Sequence, residues 1–143
     1  MFLPITLTIA AAAALLNLWL QIRVGRIRGT AKVSVGDGGN DQLLRRMRAH
    51  ANFIENLPTA LILIGAIELA VGGSTVLWLT GIALILARIA HAVGMDGGTL
   101  AKGRAIGTAV TMAILLGLAA YALYLVYTGP FAMRAPAMIG EMA

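Results

Sequence analysis

Four long apolar stretches, separated by short polar connections, decide what this chain can fold into. The first covers residues 2–22 and carries no charge. About 20 consecutive apolar residues cross a bilayer as a helix. The others fall at about residues 41–71, 75–95 and 103–127. Hydrophobic residues make up 59% of the 143 positions and charged residues 12%. A soluble domain of this size needs far more polar surface. The sequence therefore predicts an all-α integral membrane protein, a single transmembrane domain over residues 1–143 built as a four-helix bundle. The first stretch resembles a signal peptide, but no Lys or Arg precedes it. Its apolar run also exceeds the roughly 7–15 residues of a signal h-region, so it is read as a retained span.

Local signals punctuate the spans. Residues 23–40, RVGRIRGTAKVSVGDGGN, read as a basic, glycine-rich loop. Asn40 or Asp41 can N-cap the second helix. That helix starts well before its apolar part. Over residues 41–71 it would extend about 45 Å at the usual helical rise, which exceeds a hydrocarbon core of about 30 Å. Its first half is expected at or below the interface, with a kink at Pro58. Gly72 and Gly73 end it, and Ser74 can cap the third span. The third span breaks at GMDGG, residues 94–98, and the fourth closes at TGP, residues 128–130. Gly103 and Gly107 form a small-xxx-small pair that permits close helix contact.

Charge gives orientation. The formal net charge is +5, and the sequence pI is near 10.5. Ten of the eleven Lys and Arg residues fall on one side of a four-span topology. The positive-inside rule makes that side cytoplasmic and places both termini away from the cytoplasm. Basic residues punctuated by apolar spans are topology signals and headgroup contacts, so no nucleic-acid partner is expected. Cysteine is absent and there are two histidines. That excludes a protein thiol nucleophile and leaves no case for a metal site.

The stretch RRMRAHANFIENLP, residues 45–58, carries the most information. At 100° per residue, Arg45, Asn52 and Glu55 fall within about 60° of Arg48 and form one stripe. His50 and Glu68 are outliers on the opposite face, and His50 reads as structural. A charge at membrane depth is costly and survives facing a bundle interior or a wet cavity, so Glu55 is expected to look inward. Arg88 and His91, three residues apart on the third span, are neighbours on one face. Arg104 opens the fourth span and Arg23 closes the first. Every span thus delivers a polar group to the same membrane side, where a bundle can gather them. Several arginines suit a carboxylate-bearing ligand. Asn52 and Glu55 add acceptors, so an amphoteric, peptide-like molecule fits better than a phosphate. Neither a P-loop nor a Ser–His–acid set is present. Other readings stand beside this one. Arg26, Arg28, Lys32 and Arg46 read as snorkelling anchors. Arg48 and Glu55 are equally compatible with an intramembrane network joining subunits.

The second-span motif Arg48-x-His50-x-Asn52-x-x-Glu55, followed by Pro58, resembles the signature of the membrane-associated proteins in eicosanoid and glutathione metabolism. This family includes microsomal glutathione transferases and prostaglandin E synthase. The resemblance extends to ARIAHAVGM in the third span and to the arginine opening the fourth. It implies a homotrimer of four-helix protomers that binds glutathione as co-substrate between subunits, on the cytoplasmic side. On matched positions, Arg48, Asn52 and Glu55 would bind the tripeptide, and Arg88 and His91 would line the site. Arg104 would hold the sulfur as thiolate. Arg23 matches the first-span arginine that contacts glutathione, with Arg26 a competing match. The implied activity is conjugation of glutathione to hydrophobic electrophiles, or reduction of lipid hydroperoxides.

Two positions depart from the family pattern. Met95 stands where some members carry tyrosine, and Ala105 puts no hydroxyl after Arg104. Both weigh against an eicosanoid isomerase. A lipid-binding or scaffold protein of the same fold is the alternative. A transporter is disfavoured, because no paired broken helices mark the membrane midplane.

Overall fold

The structure is a computed structural model that describes residues 2–97 and 100–128. The described residues form four α-helices and no strand. They are α1 (Pro4–Ala31), α2 (Asp41–Val71), α3 (Thr75–Gly94) and α4 (Lys102–Thr128). Each is long and apolar enough to cross a membrane. They run alternately up and down, so one end of the bundle gathers the arginines and the other gathers the start of α1 and the α2–α3 turn. Helix α3 packs most extensively on α4, and α1 on α2. Among the described residues, α1 and α4 do not meet.

The helix ends follow from identifiable caps. Pro4 opens α1, where its missing N–H is no loss. No local side chain caps this end. Instead Glu68, buried near the end of α2, accepts hydrogen bonds from the N–H groups of Ile5 (2.9 Å) and Thr6 (2.8 Å) and from the Thr6 hydroxyl (2.6 Å). A carboxylate from another helix thus satisfies amides that α1 would otherwise leave bare in an apolar setting. Asn40, rather than Asp41, caps α2: its Oδ1 accepts from Leu43 N at 2.9 Å. Ser74 caps α3 through Leu77 N at 3.2 Å. Helix α2 stays one element through Pro58 to Val71.

One expectation needs correction. The segment from Arg23 does not begin a loop, because α1 continues through it to Ala31. Charge marks where the hydrocarbon ends, not where the helix does. The stop comes at Lys32, whose left-handed φ of 53° turns the chain. The Arg28 guanidinium then donates to the carbonyls of Val33, Ser34 and Gly36.

Packing is close where glycine allows it. A Cβ on Gly107 would lie 2.4 Å from the Ala87 carbonyl oxygen, and one on Gly103 would lie 2.7 Å from that of Ala90. The expected small-residue contact is therefore the α3–α4 crossing, backbone against backbone. The core is built from Ile5, Ile9, Leu16 and Leu20 of α1, Phe53, Leu57 and Ile64 of α2, and Leu84 of α3. Helix α4 contributes little to it, burying Gly107, Thr111 and Leu118. Large apolar side chains such as Leu15, Ile62, Leu116 and Leu123 cover the outside. That surface suits lipid rather than water.

Candidate functional site

The polar groups cluster at the basic end of the bundle, and the structure sorts them into three groups. The first is centred on Arg88, which is 2% exposed. Its guanidinium donates to Asn52 Oδ1 on α2 (2.7 Å) and to the Gly107 carbonyl on α4 (2.9 Å). Its Nε is buried with no partner among the described residues. The Thr111 hydroxyl donates to the same Gly107 carbonyl at 2.8 Å. Arg88 is therefore a strut joining three helices. His91, one turn later, is buried against Gly107.

The second group is centred on Asp96, in the α3–α4 connection. Its carboxylate pairs with Arg23 of α1 and with Arg46 of α2, the latter at 3.3 Å. Arg23 also donates to the Ala92 carbonyl at 3.2 Å, and its guanidinium carbon lies 4.5 Å from the centroid of the Trp19 ring. Arg46 donates to the Arg23 carbonyl at 3.3 Å. So Arg23 faces a carboxylate of its own chain. Arg26, the competing match, is exposed, as expected of a headgroup anchor.

The third group is uncovered. Arg48 and Glu55 are exposed and have no ion-pair or side-chain hydrogen-bond partner among the described residues. The buried stripe of α2 runs through Ala49, Phe53, Leu57, Ala60 and Ile64, on the far side of the helix. The expectation that Glu55 looks into its own bundle is therefore overturned. The two outliers are the inward groups: His50 bonds Asn17 of α1 at 2.9 Å, and Glu68 caps α1. A period-3.6 stripe shows which residues share a face but not which face turns inward, and here the apolar stripe won the core.

Depth makes this exposure significant. Helix α3 has 20 residues, about one hydrocarbon thickness. Arg88 lies six residues before its end at Gly94, about 9 Å inside at the helical rise. Asn52 is level with Arg88 through their hydrogen bond, and Glu55 lies one turn deeper. A carboxylate at that depth, turned away from its own bundle, requires a protein or aqueous cover.

A cleft of about 340 Å³ opens at the same end, lined by Arg45, Gly94, Met95, Gly97, Ala101 and Arg104. Gly97 takes φ +89°, and a Cβ there would lie 3.0 Å from Arg45 Nη1, so the arginine lies over a glycine turn. Arg104 is exposed in the first turn of α4. The cleft thus combines two guanidinium groups with a helix N-terminus and, among the described residues, has no acidic lining residue, a surface suited to anions. Of the seven site residues expected from sequence, it holds Arg104 alone. Asn52, Arg88 and His91 belong to the strut, Arg23 to the Asp96 pair, and Arg48 and Glu55 to the outer face. One protomer does not gather the set in a single cleft. Asp96 was missed, and Arg45 was placed on the polar stripe of α2 but given no role in the site. A signal for Asp96 existed, since it is the one acidic residue between Glu68 and Glu141 and sits among basic flanks.

Four spanning helices with a polar end define a multi-pass integral membrane protein. The family model described as the MAPEG family matches residues 6–124, and the chain belongs to that family. Among curated proteins it is similar to the inner membrane protein YecN of Escherichia coli strain K12. The two are 29% identical over 125 residues, covering 87% of this chain and 95% of the relative. The protein of the same name from Escherichia coli O6:H1 matches to the same extent.

Proposed function

We propose that this protein is a glutathione-dependent membrane enzyme. It works as a homotrimer whose glutathione sites lie between protomers on the cytoplasmic side. The observation that carries this reading is the uncovered Arg48–Glu55 face at hydrocarbon depth. A neighbouring protomer covers that face, and the tripeptide, with its two carboxylates and one ammonium, matches its charges. The strut Arg88–Asn52 holds the spacing of α2, α3 and α4 behind it. The positive-inside rule puts this end in the cytoplasm and both termini on the other side.

In this reading Arg104 stabilises the thiolate. A free thiol has a pKa near 8.5, and a guanidinium within hydrogen-bond reach favours the nucleophilic anion. In conjugation, the thiolate forms a carbon–sulfur bond and the electrophile expels its leaving group or takes up a proton. In peroxide reduction, the thiolate attacks the terminal hydroperoxide oxygen and the O–O bond breaks. The alkoxide leaves and is protonated to the alcohol. A second glutathione then resolves the sulfenic acid to the disulfide and water. A site at the membrane boundary brings together a water-soluble thiol and a lipid-soluble partner.

A second reading, a lipid-binding protein without turnover, has its own support. Met95 and Ala105 supply no hydroxyl at the cleft end. In addition, an apolar groove of about 790 Å³ runs along α3 and α4, lined by Leu77, Thr80, Val110, Ile114 and Tyr121 among others. Thiolate absorbance separates the two. The purified protein is expected to develop the ultraviolet band of a bound thiolate on adding glutathione, and Arg104→Ala to lose it while keeping its assembly and helical content. No band and no conjugation of a general electrophile would leave the lipid-binding reading.

A further inference from the structure

We propose that Asp96 sets the charge, and so the ligand selectivity, of the basic-end cleft by neutralising Arg23 and Arg46. The geometry is specific. Asp96 lies between Met95 and Gly97, both of which line the cleft, yet its carboxylate turns away to Arg23 and Arg46. Arg46 in turn is the chain neighbour of Arg45, which lines the cleft. Two arginines, Arg45 of α2 and Arg104 of α4, therefore line the cleft, and two more, Arg23 and Arg46, are engaged by one carboxylate beside it. Arg45 and Arg104 have no ion-pair partner among the described residues and line the cleft. With Asp96 in place the cleft offers two cationic contacts, enough for one carboxylate-bearing molecule. Without it the two guanidinium groups beside the cleft would be uncompensated, and the more positive potential would draw small dense anions into it. Arg23 is held by the Ala92 carbonyl and the Trp19 ring as well, so it stays in place when the carboxylate charge is removed. Asp96 is thus a positioning and selectivity residue, acting through arginines it keeps occupied.

This inference rests on the glutathione reading for the natural occupant, but its test uses inorganic sulfate as the probe. Sulfate affinity is measured at low ionic strength on the full chain in detergent, for wild type, Asp96→Asn, Arg23→Gln and the double variant, with Arg45→Gln marking the cleft. Asp96→Asn is nearly isosteric and adds one net positive charge. It is expected to bind sulfate roughly threefold or more tightly, with the gain fading as salt rises. Arg23→Gln is expected to shift affinity the opposite way. The double variant restores the charge balance and is expected to return to the wild-type value. A purely structural role would lower the melting temperature without this ordered, salt-dependent pattern. Should Asp96→Asn fail to fold, weaker binding in Arg23→Gln and wild-type binding in the double variant carry the same conclusion. The proposal is overturned if the folded variants bind sulfate alike, or if wild type binds none in an Arg45-dependent way. A series that behaves as expected in a protein that ignores glutathione would support the role of Asp96 and sink the enzyme reading.

Discussion

Arg88 shows how one side chain turns a helix bundle into a scaffold. It is buried at hydrocarbon depth and spends its two terminal nitrogens on acceptors from two other helices. Its removal strands the Asn52 amide and one lone pair of the Gly107 carbonyl in an apolar setting. Hydrogen bonds to charged groups contribute about 1.5–3 kcal/mol each, partly offset by the desolvation of a buried guanidinium. Arg88→Met is therefore expected to destabilise the protein by about 2 kcal/mol, read from reversible unfolding in detergent. An unchanged stability would mean that the strut is idle. The sequence showed that Arg88 and His91 share a face. It did not show that Arg88 would be tied to its own chain, because acceptors such as a backbone carbonyl carry no sequence signature.

At the scale of elements, α3 and α4 meet backbone against backbone, and glycine is what allows it. The Gly107 carbonyl bonds both Arg88 and Thr111, while its missing side chain leaves room for the backbone of Ala87 and His91. Gly107→Ala would force a Cβ to within 2.4 Å of a carbonyl oxygen. Separating the helices to fit it would stretch the Arg88 bridge as well. Overpacking of this kind typically costs about 1–3 kcal/mol. A melting-temperature comparison with Gly117→Ala, where a Cβ meets nothing within 4 Å, checks it: the first is expected to lower stability and the second to leave it unchanged. This contact was legible as a Gly103–Gly107 spacing, and the helix caps at Asn40 and Ser74 were legible as residue types. The end of α1 was not. Nine residues of helix lie beyond Ile22, where hydropathy falls but helical hydrogen bonding continues. Glu68 as the cap of α1 was equally hidden, since it sits 62 residues along the chain from Thr6.

For the whole molecule, periodicity and composition were enough for four spans, their order and the basic end. For the candidate site the sequence offered a set of residues, and the protomer divides that set among a strut, an ion pair, an outer face and a cleft. Of the second-span stripe, Arg48 and Glu55 face outward while Asn52 turns to Arg88 and Arg45 lines the cleft, because the other side of α2 holds the apolar residues that pack the protomer. A face bearing Arg48 and Glu55 at membrane depth is unstable against lipid and complete only when covered. On the proposed reading the protomer is half of a site, which accounts for the exposure of Arg104, the expected thiolate partner.

The central claim is that this uncovered face and the arginine cleft together receive glutathione. Thermal unfolding of the purified assembly with and without glutathione tests it most directly, since a ligand that binds the native state must raise its apparent stability. At a concentration about 100 times the Kd the gain would be about 2.7 kcal/mol. The account predicts a clear upward shift with glutathione, a smaller one with its S-methyl derivative, and none with a carboxylate-blocked analogue or in Glu55→Ala. Equal melting temperatures with and without glutathione, in a protein shown to be assembled, would contradict it.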